Sequence, residues 1–97
     1  MSEKSRENVI AVGERFDFGG HQEFIAESQQ CLDDTESQTV VVNLARTQFI
    51  DSAALGMLIQ LKKKCDSANK SLVISNAKGS VKDTLEIANI QKMITMR

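Results

Sequence analysis

Apolar runs and segments of helical spacing alternate along this chain. The strongest run, residues 40–44, places apolar side chains in succession without alternation, which is typical of a strand buried on both faces of a parallel sheet. Shorter runs at residues 9–12 and 72–74 predict two more buried strands, and residues 93–96 predict a last strand at a sheet edge. The pattern therefore predicts four strands.

Three helices are predicted between these runs. The first spans His21–Asp33 and the second spans residues 52–68. The third opens at Ser80, because Ser80 and Asp83 have the S-x-x-D spacing of a capping box. The residues at helical spacing are Phe24, Ile25, Ser28 and Leu32 in the first helix, Ala54, Met57, Leu58, Leu61, Cys65 and Ala68 in the second, and Val81, Leu85 and Ala88 in the third.

This alternation predicts an α/β fold, a single domain over residues 1–97 with a mostly parallel four-stranded sheet and about three helices. Phe16 and Phe18 alternate with polar residues and predict a half-buried extension of the first strand. Residues 1–8 are expected to be poorly ordered. Functional groups of such sheets gather where strand carboxyl ends meet helix N-termini, and Asp17, Asp51 and Ser52 fall at that edge.

Composition narrows the classes of partner. The chain has 12 basic and 13 acidic residues, a net charge of −1, and neither Trp nor Tyr. Without a basic excess or an aromatic platform, we expect no nucleic-acid binding. The charged N-terminus resembles no signal peptide, and no run approaches the ~20 apolar residues of a membrane span, so we expect no membrane insertion.

The cysteines and the histidine indicate no catalytic or metal site. Cys31 and Cys65 lie far apart without metal-ligand spacing, and we expect reduced, structural thiols of a cytoplasmic protein, with a disulfide as the alternative. His21, the sole histidine, has no evident relay and is expected to be exposed or capping. We therefore expect no cofactor, no metal and no enzymatic activity; a small hydrolase is the weaker alternative.

Asp51 and Ser52 stand together at the start of the second helix, where one capping residue is enough. Either side chain can accept a hydrogen bond from a free amide of the first turn. The alternative is chemical, because a phosphate on Ser52 would lie against free N–H groups and the positive end of the helix dipole. Such a group would add about −1.5 to −2 charges.

The outward side of the second helix is partly apolar. Leu55 and Ile59 lie off its core stripe, roughly on the side of Ser52, Gly56 and Lys63. These residues predict a partner-binding patch, although Leu55 and Ile59 could equally pack beneath a neighbouring helix or loop. Gly56 inside a helix costs ~1 kcal/mol relative to Ala, which favours a close approach by another element or protein.

The segment "VVVNLARTQFIDSAALGMLIQL", residues 40–61, resembles the core signature of the STAS domain. This is the fold of bacterial anti-sigma factor antagonists and of sulphate-transporter tails. The most specific element is Asp-Ser-x-x-Leu-Gly, residues 51–56. "GERFDF", residues 13–18, is similar to an earlier loop of the family, and "LVISNAKGSVKDTLEIANI", residues 72–90, is similar to its later strand–loop–helix segment.

The resemblance implies that Ser52 is a phosphoacceptor, with Asp17, Asp51 and Ala53 as its surroundings. It implies a partner that is an anti-sigma factor and serine kinase, bound by the hydroxyl form and released by the phosphorylated form. A PP2C-type phosphatase would reset the switch, and the process controlled would be transcription, with motility or biofilm formation as candidates. The chain itself is expected to be a monomer or weak dimer.

A second function is compatible with the same family. STAS domains also serve, without phosphorylation, as accessory subunits of transporter ATPases of the lipid-trafficking type. In that case Ser52 would be a helix-start residue only.

Overall fold

A computed structural model describes residues 6–97 and places a parallel sheet at the centre of the chain. Its strand order is β1-β3-β5-β6, and β2 and β4 form a separate two-stranded parallel ribbon. The elements are β1 (Arg6–Ala11), β2 (Arg15–Phe16), α1 (His21–Asp33), β3 (Ser37–Asn43), β4 (Phe49–Ile50), α2 (Ser52–Ser67), β5 (Ser71–Ser75), α3 (Gly79–Ile87) and β6 (Thr95–Met96). The predicted α/β fold with a four-stranded sheet and three helices is confirmed.

The register brings the apolar runs side by side. Val9 pairs with Val41, and Val41 pairs with Val73, so the three predicted buried strands are neighbours. Val40, Val41 and Val42 of the central strand β3 are all buried, which confirms burial on both faces. The last run contributes the two-residue edge strand β6, as its position predicts.

Helices α1 and α2 pack against each other and against the sheet. The predicted stripe of α2 supplies Ala54, Leu58, Leu61 and Cys65 to the core, each of them buried. Met57 is half-buried, and Ala68, which follows the last helical residue, is exposed. The shared core therefore fixes α2 and the residues at its start.

Two predictions about local structure are wrong. Phe16 is 3% exposed but Phe18 is 63% exposed, because the chain leaves β2 and enters a short 3₁₀ turn at Phe18. Ser80 is no N-cap, since α3 already begins at Gly79, where a φ of +58° turns the chain. Of residues 1–8, for which poor order stays a prediction, residues 6–8 belong to β1 and pair with β3, and residues 1–5 lie outside the described part.

Both cysteines are free and buried, as predicted. Burial raises the pKa of the Cys65 thiol to about 11, and burial also raises the pKa of Cys31. Neither thiol is therefore an activated nucleophile. Within residues 6–97, every helix is too short or too polar to cross a membrane.

Polar contacts join the loops at the two ends of the sheet. Lys70 donates from Nζ to the carbonyl oxygens of Asp34 and Ser37, at 2.7 and 2.6 Å. The amide N–H of Glu36 and the side chain of Asn8 both donate to Asp34 and hold the pKa of that carboxyl below its ordinary value. At the opposite end, the Thr47 hydroxyl donates to the Gly13 carbonyl at 2.8 Å.

We expect Thr47→Val to lower the free energy of unfolding by about 1–3 kcal/mol, because it deprives the Gly13 carbonyl of a partner. Thr47 is 3% exposed, so water cannot readily replace its hydroxyl. Thr84→Val is the matched control, since the Thr84 hydroxyl donates to Ser80 at the surface of α3. Urea denaturation of both variants measures the difference, and equal losses would contradict the expectation.

Candidate functional site

Two backbone segments meet at the start of α2. The amides of Gln48 and Phe49 donate to the Glu14 carbonyl at 2.8 and 3.1 Å, and the amide of Asp51 donates to the Phe16 carbonyl at 3.3 Å. The β2–β4 ribbon therefore holds the segment before α1 against the segment before α2. This contact brings residues 13–20 and 47–52 to one surface.

The carboxylate of Asp51 uses both of its oxygens at this junction. Oδ1 accepts a hydrogen bond from the Ala54 amide at 3.0 Å and caps α2. Oδ2 accepts from the amide of Phe18 at 3.3 Å and binds the turn that precedes α1. Because Asp51 caps α2, the helix does not need the Ser52 side chain as its cap.

Ser52 is the first residue of α2 and is exposed. Within residues 6–97 no hydrogen bond engages its hydroxyl. The neighbouring Ala53, which was predicted as part of the surroundings, is half-buried and faces α1. Ser52 is therefore open to solvent.

Asp17 lies on the turn that Asp51 binds. Its Oδ1 accepts from the Gly19 amide at 3.1 Å, and its Oδ2 pairs with Arg15 Nε at 3.0 Å. The Arg15 guanidinium also lies 4.3 Å from the ring centre of Phe49. The predicted surroundings Asp17 and Asp51 are thus joined through Phe18, and Arg15 is a neighbour that the sequence interpretation missed.

His21 holds the same turn from its other side. Its Nδ1 donates to the Phe18 carbonyl at 2.8 Å, and its ring stacks on the Phe18 ring with centroids 4.3 Å apart. These contacts agree with the expected capping role, although the residue is half-buried. They keep an exposed phenyl ring in one position.

The predicted partner-binding patch divides in two. Leu55 and Ile59 are half-buried and pack against the core, so the alternative of packing accounts for much of their apolar surface. Gly56 and Lys63 are exposed. A role of these four residues in partner binding stays a prediction.

The sequence interpretation missed an apolar groove among the described residues. It lies on the other flank of α2, between α1 and α2, and has a volume of about 410 Å³. Its lining includes Phe18, Ile25, Ala53, Gly56, Met57 and Lys64. Ile25 was grouped with the residues at helical spacing in α1, yet it is 46% exposed, which becomes visible only once α1 and α2 are oriented.

The chain folds as a small α/β domain in which an exposed serine begins a helix that the preceding aspartate caps. The STAS domain family profile matches residues 2–97, and the chain belongs to that family. The predicted resemblance is therefore confirmed for the whole described chain.

Two kinds of relative agree with this assignment. A STAS-domain-containing protein of Pseudomonas aeruginosa (strain UCBPP-PA14) is 30% identical over 92 residues, which cover 95% of this chain and 89% of the relative. The unphosphorylated anti-sigma factor antagonist SpoIIAA has a similar fold, with a TM-score of 0.74 at 14% identity over 100% of this chain and 84% of that one.

Other solved structures extend the likeness in fold. The phosphorylated form of SpoIIAA, a Bacillus cell fate determinant, gives a TM-score of 0.71 at 12% identity over 100% of this chain and 87% of that one. A sulfate transporter family protein from Wolinella succinogenes gives 0.74 at 14% identity over 92% and 75%.

We expect Asp51→Ala to reduce the free energy of unfolding by about 1–2 kcal/mol, because it removes the cap of α2 and the acceptor for Phe18. Asp51→Asn should retain most of the stability, since an amide oxygen can accept the same hydrogen bond from Ala54. Urea denaturation midpoints measure both. An Asp51→Ala midpoint equal to that of the parent would show that the cap contributes little.

We expect Gly56→Ala to raise the free energy of unfolding by about 1 kcal/mol. A Cβ at Gly56 would meet nothing within 4 Å, so the gain in helix propensity comes without a clash. Gly79→Ala is the matched control and should destabilise, because its φ of +58° suits glycine. Thermal denaturation shows whether each variant is more or less stable than the parent. A lower stability of Gly56→Ala would mean that the chain needs this glycine for folding.

Proposed function

We propose that this domain is a partner-switching regulator of the anti-sigma factor antagonist class, with Ser52 as its phosphoacceptor. The proposal rests on the different contacts that Asp51 and Ser52 make at the start of α2. Asp51 caps the helix, whereas the Ser52 hydroxyl is exposed and unengaged within the described residues. A serine that only capped the helix would use its oxygen for that purpose.

The surroundings of Ser52 support a switch that works by charge. Its phosphate would accept hydrogen bonds from free amides of the first turn of α2 and would lie at the positive end of the dipole. The modification would nevertheless add about −1.5 to −2 charges beside two carboxylates, Asp17 and Asp51. Arg15 already pairs with Asp17 at 3.0 Å, so this ion pair leaves little local compensation.

A partner that docks against this surface would then discriminate the two forms. The hydroxyl form offers a neutral contact, whereas the phosphorylated form confronts the partner with concentrated negative charge or a desolvation cost. We propose that the partner is an anti-sigma factor with serine-kinase activity and that a PP2C-type phosphatase removes the phosphate. The domain would regulate transcription in the cytoplasm, as a monomer or weak dimer, without an enzymatic activity of its own.

Likeness to SpoIIAA supports this choice, because that antagonist has been solved in unphosphorylated and phosphorylated forms. The second candidate is an accessory subunit of a transporter ATPase, and the likeness to a sulfate transporter family protein favours it. The two candidate functions differ in whether they require modification of the Ser52 hydroxyl. Only the first requires chemistry at the Ser52 oxygen.

Affinity capture from the native host with Ser52→Ala and Ser52→Asp baits tests the switch. We expect the alanine bait to retain the regulatory partner and the aspartate bait to bind it about tenfold or more weakly, since like charges at an interface are costly. Ser80→Asp is the matched control, because Ser80 is another exposed serine in the first turn of a helix. Equal retention by all three baits would reject the electrostatic switch.

The phosphoacceptor itself is tested by mass spectrometry after incubation with the partner that the Ser52→Ala bait captures. The expected result is one phosphate, located on Ser52 and absent from Ser52→Ala. Phosphate at another residue, or co-purification with a transporter ATPase regardless of Ser52, would favour the second candidate.

A further inference from the structure

The three helices of the described residues lie on one face of the sheet. The strands advance from β1 to β3, β5 and β6 in one direction, and right-handed crossovers place α1, α2 and α3 on the same side. Side chains of a strand alternate between the two faces, and Val42 and Ile74 belong to the core that the helices complete. Val41 and Val73 therefore point to the opposite face, which we call the outer face.

A row of paired residues crosses the outer face. Val9 pairs with Val41, Val41 pairs with Val73, and Val73 pairs with Thr95. Val41 is 2% exposed and Val73 is 8% exposed, although the helices lie on the other side of the sheet, whereas Val9 at the edge is 55% exposed. The middle of the row is therefore shielded from water by something other than a helix.

The ion pair between Glu7 and Arg97 crosses the outer face at this place. Nη1 and Nη2 of Arg97 donate to the two carboxylate oxygens of Glu7 at 3.0 and 3.1 Å. Glu7 lies in β1 two residues before the row, and Arg97 follows β6 and lies two residues beyond the row, so alternation places both side chains on the outer face. The line that joins them runs diagonally over the centre of the row, between Val41 and Val73.

The contacts of Arg97 fix this crossing. Two parallel N–H···O bonds between a guanidinium and a carboxylate define orientation as well as position, and the hydrogen bond from Arg97 holds the pKa of the Glu7 carboxyl below its ordinary value. The Arg97 amide donates to the Ile74 carbonyl at 2.8 Å, and its carbonyl accepts from the Asn76 amide at 3.2 Å. An arginine can lay its methylene stem on apolar surface and keep its charged group in water. The two side chains, 51% and 40% exposed, are therefore suited to cover the row without being buried themselves.

We propose that the Glu7–Arg97 ion pair is a charged cover that keeps two copies of this chain from associating through their outer faces. This surface is not the one that carries Ser52, so the inference does not depend on the proposed function. Two sheets with apolar faces pack about 10 Å apart, and two copies of the same row could bury each other in this way. The ion pair would lose its water in such a packing, and an apolar contact does not offset that cost.

Replacement of both charged residues tests the cover on the full chain. The Glu7→Gln/Arg97→Gln variant keeps the net charge of the parent, and glutamine is too short to make the contact of Arg97. We expect this variant to dimerise about tenfold or more tightly than the parent, because no ion pair has to be desolvated. A hydrophobic dye should also bind the variant more strongly at low protein concentration, since Val41 and Val73 then meet solvent. Sedimentation velocity over a concentration series measures the dissociation constant of the dimer.

The Lys62→Gln/Asp66→Asn variant is the matched control. Lys62 and Asp66 form another exposed ion pair, at 2.8 Å on α2, and its removal also leaves the net charge unchanged. We expect this variant to behave as the parent. The charge-exchanged variant Glu7→Arg/Arg97→Glu should also behave as the parent, because it rebuilds an ion pair over the same row.

Two lysine substitutions in the Glu7→Gln/Arg97→Gln background locate the interface. Val9→Lys and Thr95→Lys place a charge at opposite ends of the row, and both positions are exposed. Each should return the chain to the association of the parent, because only packing through the outer face is disturbed from both ends. An unchanged dissociation constant or dye signal without the cover, the same change in Lys62→Gln/Asp66→Asn, or a dimer that survives either lysine would overturn the proposal.

Discussion

The carboxylate of Asp51 is the contact on which the site depends. One oxygen caps α2 through Ala54 and the other accepts from Phe18, so a single side chain determines where the helix starts and where the preceding turn lies. The consequence is chemical as well as mechanical. Because the cap is already supplied, the adjacent Ser52 hydroxyl is left to solvent, and because the turn is bound, the exposed Phe18 ring is kept beside it.

A shared anchor of this kind favours a switch in charge over a switch in shape. A phosphate on Ser52 would find amide donors in the first turn of α2, so the modified helix start needs no rearrangement. The phosphate would instead make the electrostatic potential at this surface more negative, where Asp17 and Asp51 already contribute negative charge. A partner that contacts the surface around Ser52 would meet this change directly, without any movement of α1 or α2.

The sequence predicts features that depend on local pattern and predicts poorly those that depend on distant pairing. His21–Asp33 is both the predicted and the observed span of α1, and α2 begins at Ser52 as predicted. Phe18 was misplaced because β2 pairs with the distant β4 and ends after Phe16, a length that no local signal gives. The start of α3 was misplaced because a positive φ at Gly79 replaced the capping box expected at Ser80.

The groove could not be found from sequence for a related reason, since the facing flanks of α1 and α2 become neighbours only through tertiary packing. Gly56 shows what this orientation adds. The sequence suggested that something approaches this glycine closely, yet within the described residues a Cβ there would have open space around it. The fold therefore gains nothing from a residue that costs about 1 kcal/mol of helix propensity.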